Sequence, residues 1–251
     1  MIRGFESFKE WFKGYEDGYV IIGGTACDLI MSEEDMPFRA TKDIDMVLII
    51  EALTPEFGDR LWGYIKKAGY EHLNKSSGKP QFYRFSHPKN KEYPVMIELF
   101  SKQMESIHLS DGVQLTPLPI DDEVSSLSAI LLDQEYYELL KTGRKMIDGI
   151  PILRPEYIIP FKAKAWIDLS KRRENGEHVD SKNIRKHKND IFRLSVFLIE
   201  ESRVILPDGI KKDMHQFIAA TGIEPIDLKN LGIPGMKYDE LIGLLRKCYL
   251  Y

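Results

Sequence analysis

Cysteine is scarce in this sequence: Cys27 and Cys248 are the only two, far apart and in no metal-type spacing. One disulfide at most makes no secreted framework, so a reducing, cytoplasmic compartment is expected. Long apolar runs are missing too. No stretch reaches the ~20 residues that span a bilayer, and the amphipathic MIRGFESFKEWF has no apolar signal core, so neither secretion nor membrane insertion is expected. A net charge of −4 excludes a generally basic nucleic-acid coat or a polybasic membrane anchor, though not a local patch. There is no internal repeat, no low-complexity segment, no GxxxxGK[ST] loop and no GxGxxG. What is present is an ordinary globular composition: 251 residues, 43% hydrophobic, enough for one large domain or two smaller ones.

Residues 5 to 15 read as a short helix, and Tyr19 to Ile22 as a strand stopped by Gly23 and Gly24. A helix with Ala26, Leu29 and Ile30 inward follows, then a strand at Ile44 to Ile50, a helix at Phe57 to Ala68, and strands at Gln81 to Ser86 and Pro94 to Phe100. Asn74 to Pro80 is a turn. Shorter strand-like pieces lie at Val113 to Leu115, Leu127 to Leu132 and Ile150 to Leu153. Helical periods then run over Tyr157 to Lys171, Lys182 to Glu200, Ile210 to Thr221 and Tyr238 to Tyr249. The expectation is an α/β (α+β) protein: a mixed-sheet domain over 1–120 and a mainly helical one over 121–251, with the boundary falling between 120 and 155.

Asp43 and Asp45 sit two apart at the mouth of an apolar strand, so they point to one face. At a separation of about 5 Å and an effective dielectric near 20, they repel by about 3 kcal/mol, a penalty that a divalent cation between them reverses. A solvated acid pair at a strand entrance is the plainer alternative. In YPVMIELF, Glu98 is framed by apolar residues on both faces, and a buried carboxylate needs a cation or a donor. If its strand lies beside Ile44 to Ile50, three acids meet on one face, a set suited to Mg²⁺ or Mn²⁺; an edge-strand glutamate reaching water is the alternative. Gly23, Gly24 and Thr25 link a strand to a helix, where a tight turn and free N–H groups suit a phosphate, although strand-to-helix turns use glycine routinely.

G-G-T-A followed, after a helix, by FRATKDIDMVL resembles the nucleotidyltransferases of the DNA polymerase beta superfamily, and more narrowly the AbiEii/AbiGii-type toxin family. The resemblance implies that Gly23, Gly24 and Thr25 hold the triphosphate of an NTP, and that Asp43, Asp45 and Glu98 hold the divalent metals. Glutamate stands in the third slot where the family is similar in having aspartate.

In RPEYIIPFKAKAWIDL, Lys162 falls within the stripe of Ile158, Ala165, Trp166 and Leu169, while Lys164 falls opposite, on a solvated face. A buried ammonium needs a partner anion, so Lys162 is the functional candidate, with snorkelling past Trp166 as the alternative. Pro160 predicts a kink or a helix that begins after it. This stretch resembles the family's P-E, spacer, K-h-x-A motif through Pro155, Glu156, Lys162 and Ala165, which implies that Lys162 contacts nucleotide phosphate. KHKNDIFRLSVFL resembles its third motif through Lys186, Asp190, Ile191 and Leu194, with His187 in place of the first acid. By phase, His187 sits in an apolar stripe and reads as a core histidine. Asp190 sits at the stripe's edge, where it is a surface pair with Lys186 or, as the resemblance implies, orients Lys162 or helps activate the acceptor. Beyond about residue 200 no likeness is seen.

From Lys162 to Arg193 there are ten Lys/Arg against five acids, a local excess inside an acidic chain. Charged helix surfaces explain this plainly, or Lys171, Arg172 and Arg173 guide RNA. The activity that the resemblance implies is metal-dependent transfer of NMP from an NTP to a hydroxyl, with an RNA or tRNA 3′ end as acceptor in a toxin of the toxin–antitoxin or abortive-infection kind and a cognate antitoxin as partner. The alternatives are a small-molecule or protein acceptor, or a non-catalytic nucleotide- or RNA-binding member.

Overall fold

The computed structural model describes residues 2–71, 84–100, 130, 133–223, 226–233 and 235–251. Among them are eight α-helices and one six-stranded mixed sheet, an α+β architecture. The turn expected at Asn74 to Pro80, the start of the third expected strand, and the pieces at Val113 to Leu115 and, Ile130 apart, Leu127 to Leu132 lie outside the described residues. No helix among the described residues is long and apolar enough to cross a membrane.

The chain divides into two units, Met1–Pro119 with Arg144–Leu153, and Ile120–Gly143 with Arg154–Tyr251. The first holds α1 (Phe5–Phe12), β1 (Tyr19–Ile22), α2 (Gly23–Glu33), β2 (Asp43–Leu48), α3 (Pro55–Ala68), β3 (Arg84–Ser86), β4 (Met96–Phe100), β5 (Arg144–Ile147) and β6 (Ile150–Leu153). Its sheet runs β3-β4-β2-β1-β6-β5. β1 is antiparallel to β2 and parallel to β6; β2 is parallel to β4; the two outer pairs, β3 with β4 and β5 with β6, are antiparallel. β1 is central and buried along its whole length, as its unbroken YVII requires. Phe5, Phe8 and Phe12 share one face of α1, and the rings of Phe8 and Phe12 pack with Tyr19 and Tyr64 at 5.4–5.9 Å between centroids. α3 starts where Thr54 accepts from the Phe57 N–H and stops at Gly69, φ +66.

The two units interleave, where a single cut between 120 and 155 was expected. The hairpin Arg144–Leu153 completes the first unit's sheet, with Ile152 of β6 opposite Ile21 of β1. β5 was not expected, because its four residues RKMI carry little strand signal. The neighbouring Asp148-Gly149 is the overlooked one: both residues have positive φ (+47° and +75°), the geometry of a two-residue hairpin turn.

The second unit holds α4 (Gln134–Thr142), α5 (Pro155–Glu174), α6 (Ser181–Ser195), α7 (Asp208–Ile223) and α8 (Tyr238–Tyr249). α4 was also unexpected; Asp133 caps it by accepting from Glu135 and Tyr136. Its core joins Tyr136 to Phe161 (5.1 Å) and Trp166 to Phe217 (5.3 Å). Of the two expectations at Pro160, a helix that begins after it is corrected: α5 begins at Pro155 and runs through Pro160. Proline there removes the bond that its N–H would give to the carbonyl of Glu156. The buried hydroxyl of Tyr249 supplies the replacement, donating to that carbonyl at 2.7 Å.

Candidate functional site

β1 ends at Ile22 and α2 begins at Gly23, with no loop between. Gly23 has φ +68, and a Cβ built on it would stand 1.7 Å from Oδ2 of Asp45. Both facts demand glycine: the left-handed backbone, and a carboxylate packed where a side chain would begin. A Cβ on Gly24 would meet Thr41 Oγ1 at 2.7 Å and the Arg39 guanidinium at 3.4 Å. The start of α2 is thus approached by one carboxylate, one hydroxyl and one guanidinium, and Arg39 itself lies over the Phe38 ring at 5.1 Å. Arg39 and Thr41 lie in the FRATKD run but carry no signal of their own in the sequence, since their proximity to Gly24 depends on how that run folds back.

Thr25 was expected, with Gly23 and Gly24, to hold the triphosphate. It is fully buried, and the hydroxyl donates to the carbonyl of Asp43 at 2.5 Å, tying α2 to β2. What Thr25 can offer an anion is its backbone N–H in the first helical turn.

Asp43 and Asp45 lie on one face of β2, each partly exposed, with buried Ile44 between them on the other. β4 runs beside β2, and Glu98 is the register partner of Asp45, with Met96 opposite Asp43. The three acids therefore share a sheet face. Glu98, however, is already answered: on the next strand Arg84 is its register partner, and Arg84 Nε donates to Glu98 Oε1 at 2.7 Å. Glu98 is 9% exposed, so this ion pair meets the requirement that a buried carboxylate has a cation nearby. The edge-strand reading of Glu98 is corrected, because β3 covers β4.

The donor set can be tested against a metal. Two carboxylates suit Mg²⁺ or Mn²⁺, since a small hard cation is commonly held by one or two acids and completed by water and substrate oxygens. Among the described residues no three His, Cys, Asp or Glu are grouped to hold an ion, which agrees with Glu98 being engaged by Arg84. Asp43 and Asp45 fit the group, while one oxygen of Glu98 is taken by Arg84.

In the helical unit Lys162 is 6% exposed, and its ammonium donates to Asp190 Oδ2 at 2.9 Å. Asp190 is fully buried rather than at an edge, and Arg193 Nη1 reaches its Oδ1 at 3.5 Å. The anion that Lys162 needs is therefore supplied by the chain itself. Lys164 was placed on a solvated face; its side chain is 28% exposed and bridges Asp168 (3.4 Å) and Asp213 (3.6 Å). α5 has neighbours on more than one side, so one stripe does not describe it. His187 is half-buried rather than in the core. Lys171, Arg172 and Arg173 form the last turn of α5, with Arg172 Nε donating to Glu177 at 2.7 Å.

Comparison of the chain with protein-family models, with curated proteins and with solved structures found no match.

Proposed function

We propose that the chain is a divalent-cation-dependent nucleotidyltransferase, which moves NMP from an NTP to a hydroxyl and releases pyrophosphate. The observation that carries this is the pairing of Asp43 and Asp45 on one face of β2, with the Asp45 carboxylate seated against Gly23 where α2 begins. Asp43 and Asp45 would hold Mg²⁺ or Mn²⁺, which supplies charge neutralisation to the phosphate oxygens when bound. The backbone N–H groups of Gly24 and Thr25 would hold the triphosphate at the positive end of α2. The acceptor oxygen attacks the α-phosphorus in line, forming one O–P bond as the bond to the bridging oxygen breaks. The electron pair leaves on pyrophosphate, and the hydroxyl proton passes to water. The chain's part is positioning.

An RNA 3′ end is the acceptor that the exposed Lys171 and Arg173 support. A nucleotide-binding member without transfer is the competing reading, and the engagement of Glu98 by Arg84 is what favours it. Incubation with each α-labelled NTP, Mg²⁺ and bacterial RNA, beside Asp45→Asn, separates the two. Label on RNA ends from the wild type alone supports transfer. Label on a small molecule or protein changes the acceptor, and label nowhere overturns transfer.

A further inference from the structure

The structure divides the cations of the basic stretch into two sets. Lys162 and Arg193 meet Asp190, Lys164 meets Asp168 and Asp213, and Arg172 meets Glu177. Lys182, Arg185 and Lys186, in the first half of α6, take part in no ion pair among the described residues. Asp180 caps that helix by accepting from the Lys182 N–H at 2.8 Å, and no acid follows until Asp190, which is buried. At 100° per residue, Lys182, Arg185, Lys186, Asn189 and Arg193 share a stripe about 100° wide, opposite Ile184, Ile191 and Leu194. Lys188 falls outside this stripe and is half-buried, so it is not counted with them.

Lys182 and Lys186 stand one turn apart with Arg185 beside them, where an ordinary surface helix interleaves acids with bases. Like charges so placed repel, and the helix loses stability by them. From Lys171 to Asn189 there are seven Lys/Arg and three acids, Glu174, Glu177 and Asp180. The acids Asp239 and Glu240 follow Tyr238, whose ring packs on Phe192 about two turns beyond Arg185. The stripe around Arg185 is therefore positive with its neighbours included.

From this we infer that the outer face of α6 binds the sugar–phosphate backbone of a paired RNA stem, with Lys182, Arg185 and Lys186 at phosphates. The composition of the face selects that occupant. It carries no apolar or aromatic residue, whereas a protein partner is anchored through such side chains. Unpaired RNA is held by stacking its bases on rings, and this face has none. A paired stem turns its bases inward and presents phosphates and 2′-hydroxyls, the groups that cations and the Asn189 amide meet. The inference rests on the RNA acceptor of the nucleotidyl-transfer reading and deepens it, by naming the part of the RNA that the helical unit holds.

The test uses full-length protein, each form checked for a cooperative thermal transition. Beside wild type stand Lys182→Gln with Arg185→Gln and Lys186→Gln, and a control that removes as many exposed cations elsewhere, Lys91→Gln with Lys211→Gln and Lys212→Gln. Fluorescence anisotropy across a salt series follows binding to a labelled RNA duplex of about 16 base pairs, an unpaired uridine strand of that length, and polyglutamate. Wild type should prefer the duplex to the strand by about tenfold. The α6 variant should lose about tenfold on the duplex, and its salt slope should shrink by about 0.7–0.9 for each phosphate contact removed, while the control stays within about threefold of wild type. Unchanged duplex affinity in the α6 variant, an equal loss in the control, or a strand held as tightly as the duplex overturns the inference. Polyglutamate bound more tightly than either RNA, and lost in the α6 variant, puts an acidic protein in place of RNA. Transfer of labelled NMP to the duplex is measured in parallel. Label that the α6 variant leaves unchanged at limiting RNA overturns the inference alone, and duplex binding that needs α6 with no label on any RNA overturns transfer alone. If the triple variant does not fold, Lys182→Gln and Arg185→Gln singly give the same comparison.

Discussion

The carboxylate of Asp45 lies against the α-carbon of Gly23, so close that a methyl group at 23 would stand 1.7 Å from Oδ2. Gly23→Ala must therefore move the acid or unwind the start of α2, and it also places alanine at φ +68. The backbone term alone costs about 1–2 kcal/mol. Urea denaturation should show at least that loss, and Mn²⁺ affinity should fall with it. An alanine variant as stable as wild type would show that the turn does not hold Asp45.

Asp190 anchors two cations, Lys162 at 2.9 Å and Arg193 at 3.5 Å, from a fully buried position. Asp190→Ala leaves the Lys162 ammonium buried without its anion and should cost about 3–5 kcal/mol. Pairing Asp190→Leu with Lys162→Met should recover most of the loss. Lys164→Ala, which breaks two longer and more exposed bridges, should cost under about 1 kcal/mol. Denaturant midpoints check all three, and a loss in Lys164→Ala equal to that in Asp190→Ala would contradict the greater worth assigned to the buried pair.

Tyr249 and Pro160 form a compensating pair through the carbonyl of Glu156. Tyr249→Phe removes the bond to that part-buried acceptor, at a cost of about 0.5–1.5 kcal/mol. Pro160→Ala restores the helix's own donor, so Tyr249→Phe should be milder in that background. A double-mutant cycle measures the coupling; strict additivity would mean that the tyrosine acts only by packing.

Such pairings mark the limit of what was legible in the sequence. β1 and the acids of β2 were visible because YVII is bounded by glycine and because two aspartates two apart must share a face. That β4 lies beside β2 was only a condition, and Arg84 could not be foreseen as the partner of Glu98, since cross-strand register is not written locally. Lys162 stands out by helical phase, but its partner is 28 residues away on another helix. Asp190 reads as a stripe's edge only if its helix has one apolar face, whereas the helices around α5 bury more of it. Tyr249 likewise explains Pro160 from the far end of the unit's sequence.

Asp168 yields a pH prediction with a definite sign. Burial is the main cause that raises its carboxyl above the ordinary aspartate range; Lys164 opposes the rise and the charge of Asp213 adds to it. Asp213 also accepts from the Tyr136 hydroxyl at 3.1 Å and shares Lys164 at 3.6 Å, and Lys171, on the same helix as Asp168, opposes the rise as Lys164 does. An acid with a raised folded-state pKa binds its proton more tightly when folded. Its contribution to stability is full below about pH 4 and is lost as pH rises through the folded value. The stability of Asp168→Asn minus that of wild type should therefore grow as pH rises from about 4 to 7. Thermal melts across that range read the difference, and a difference that shrinks would reverse the assigned cause.

Lys171, Arg172 and Arg173 end α5, and cations in a last turn complement the helix dipole without any ligand. Reversing all three to glutamate should cost about 0.3–1 kcal/mol per site on that account alone, which unfolding experiments will register whatever the acceptor is. RNA adds a second consequence that the dipole does not. Each phosphate held by a cation releases counterions, so single-stranded RNA binding should weaken, and the slope of its logarithm against that of salt should shrink by about 0.7 for each phosphate no longer neutralised. Nucleotide affinity, assigned to the β1–α2 turn and the aspartates of the first unit, should not change. RNA affinity and salt slope that match wild type in the folded triple variant would remove RNA from this surface and direct the search to a small-molecule or protein hydroxyl.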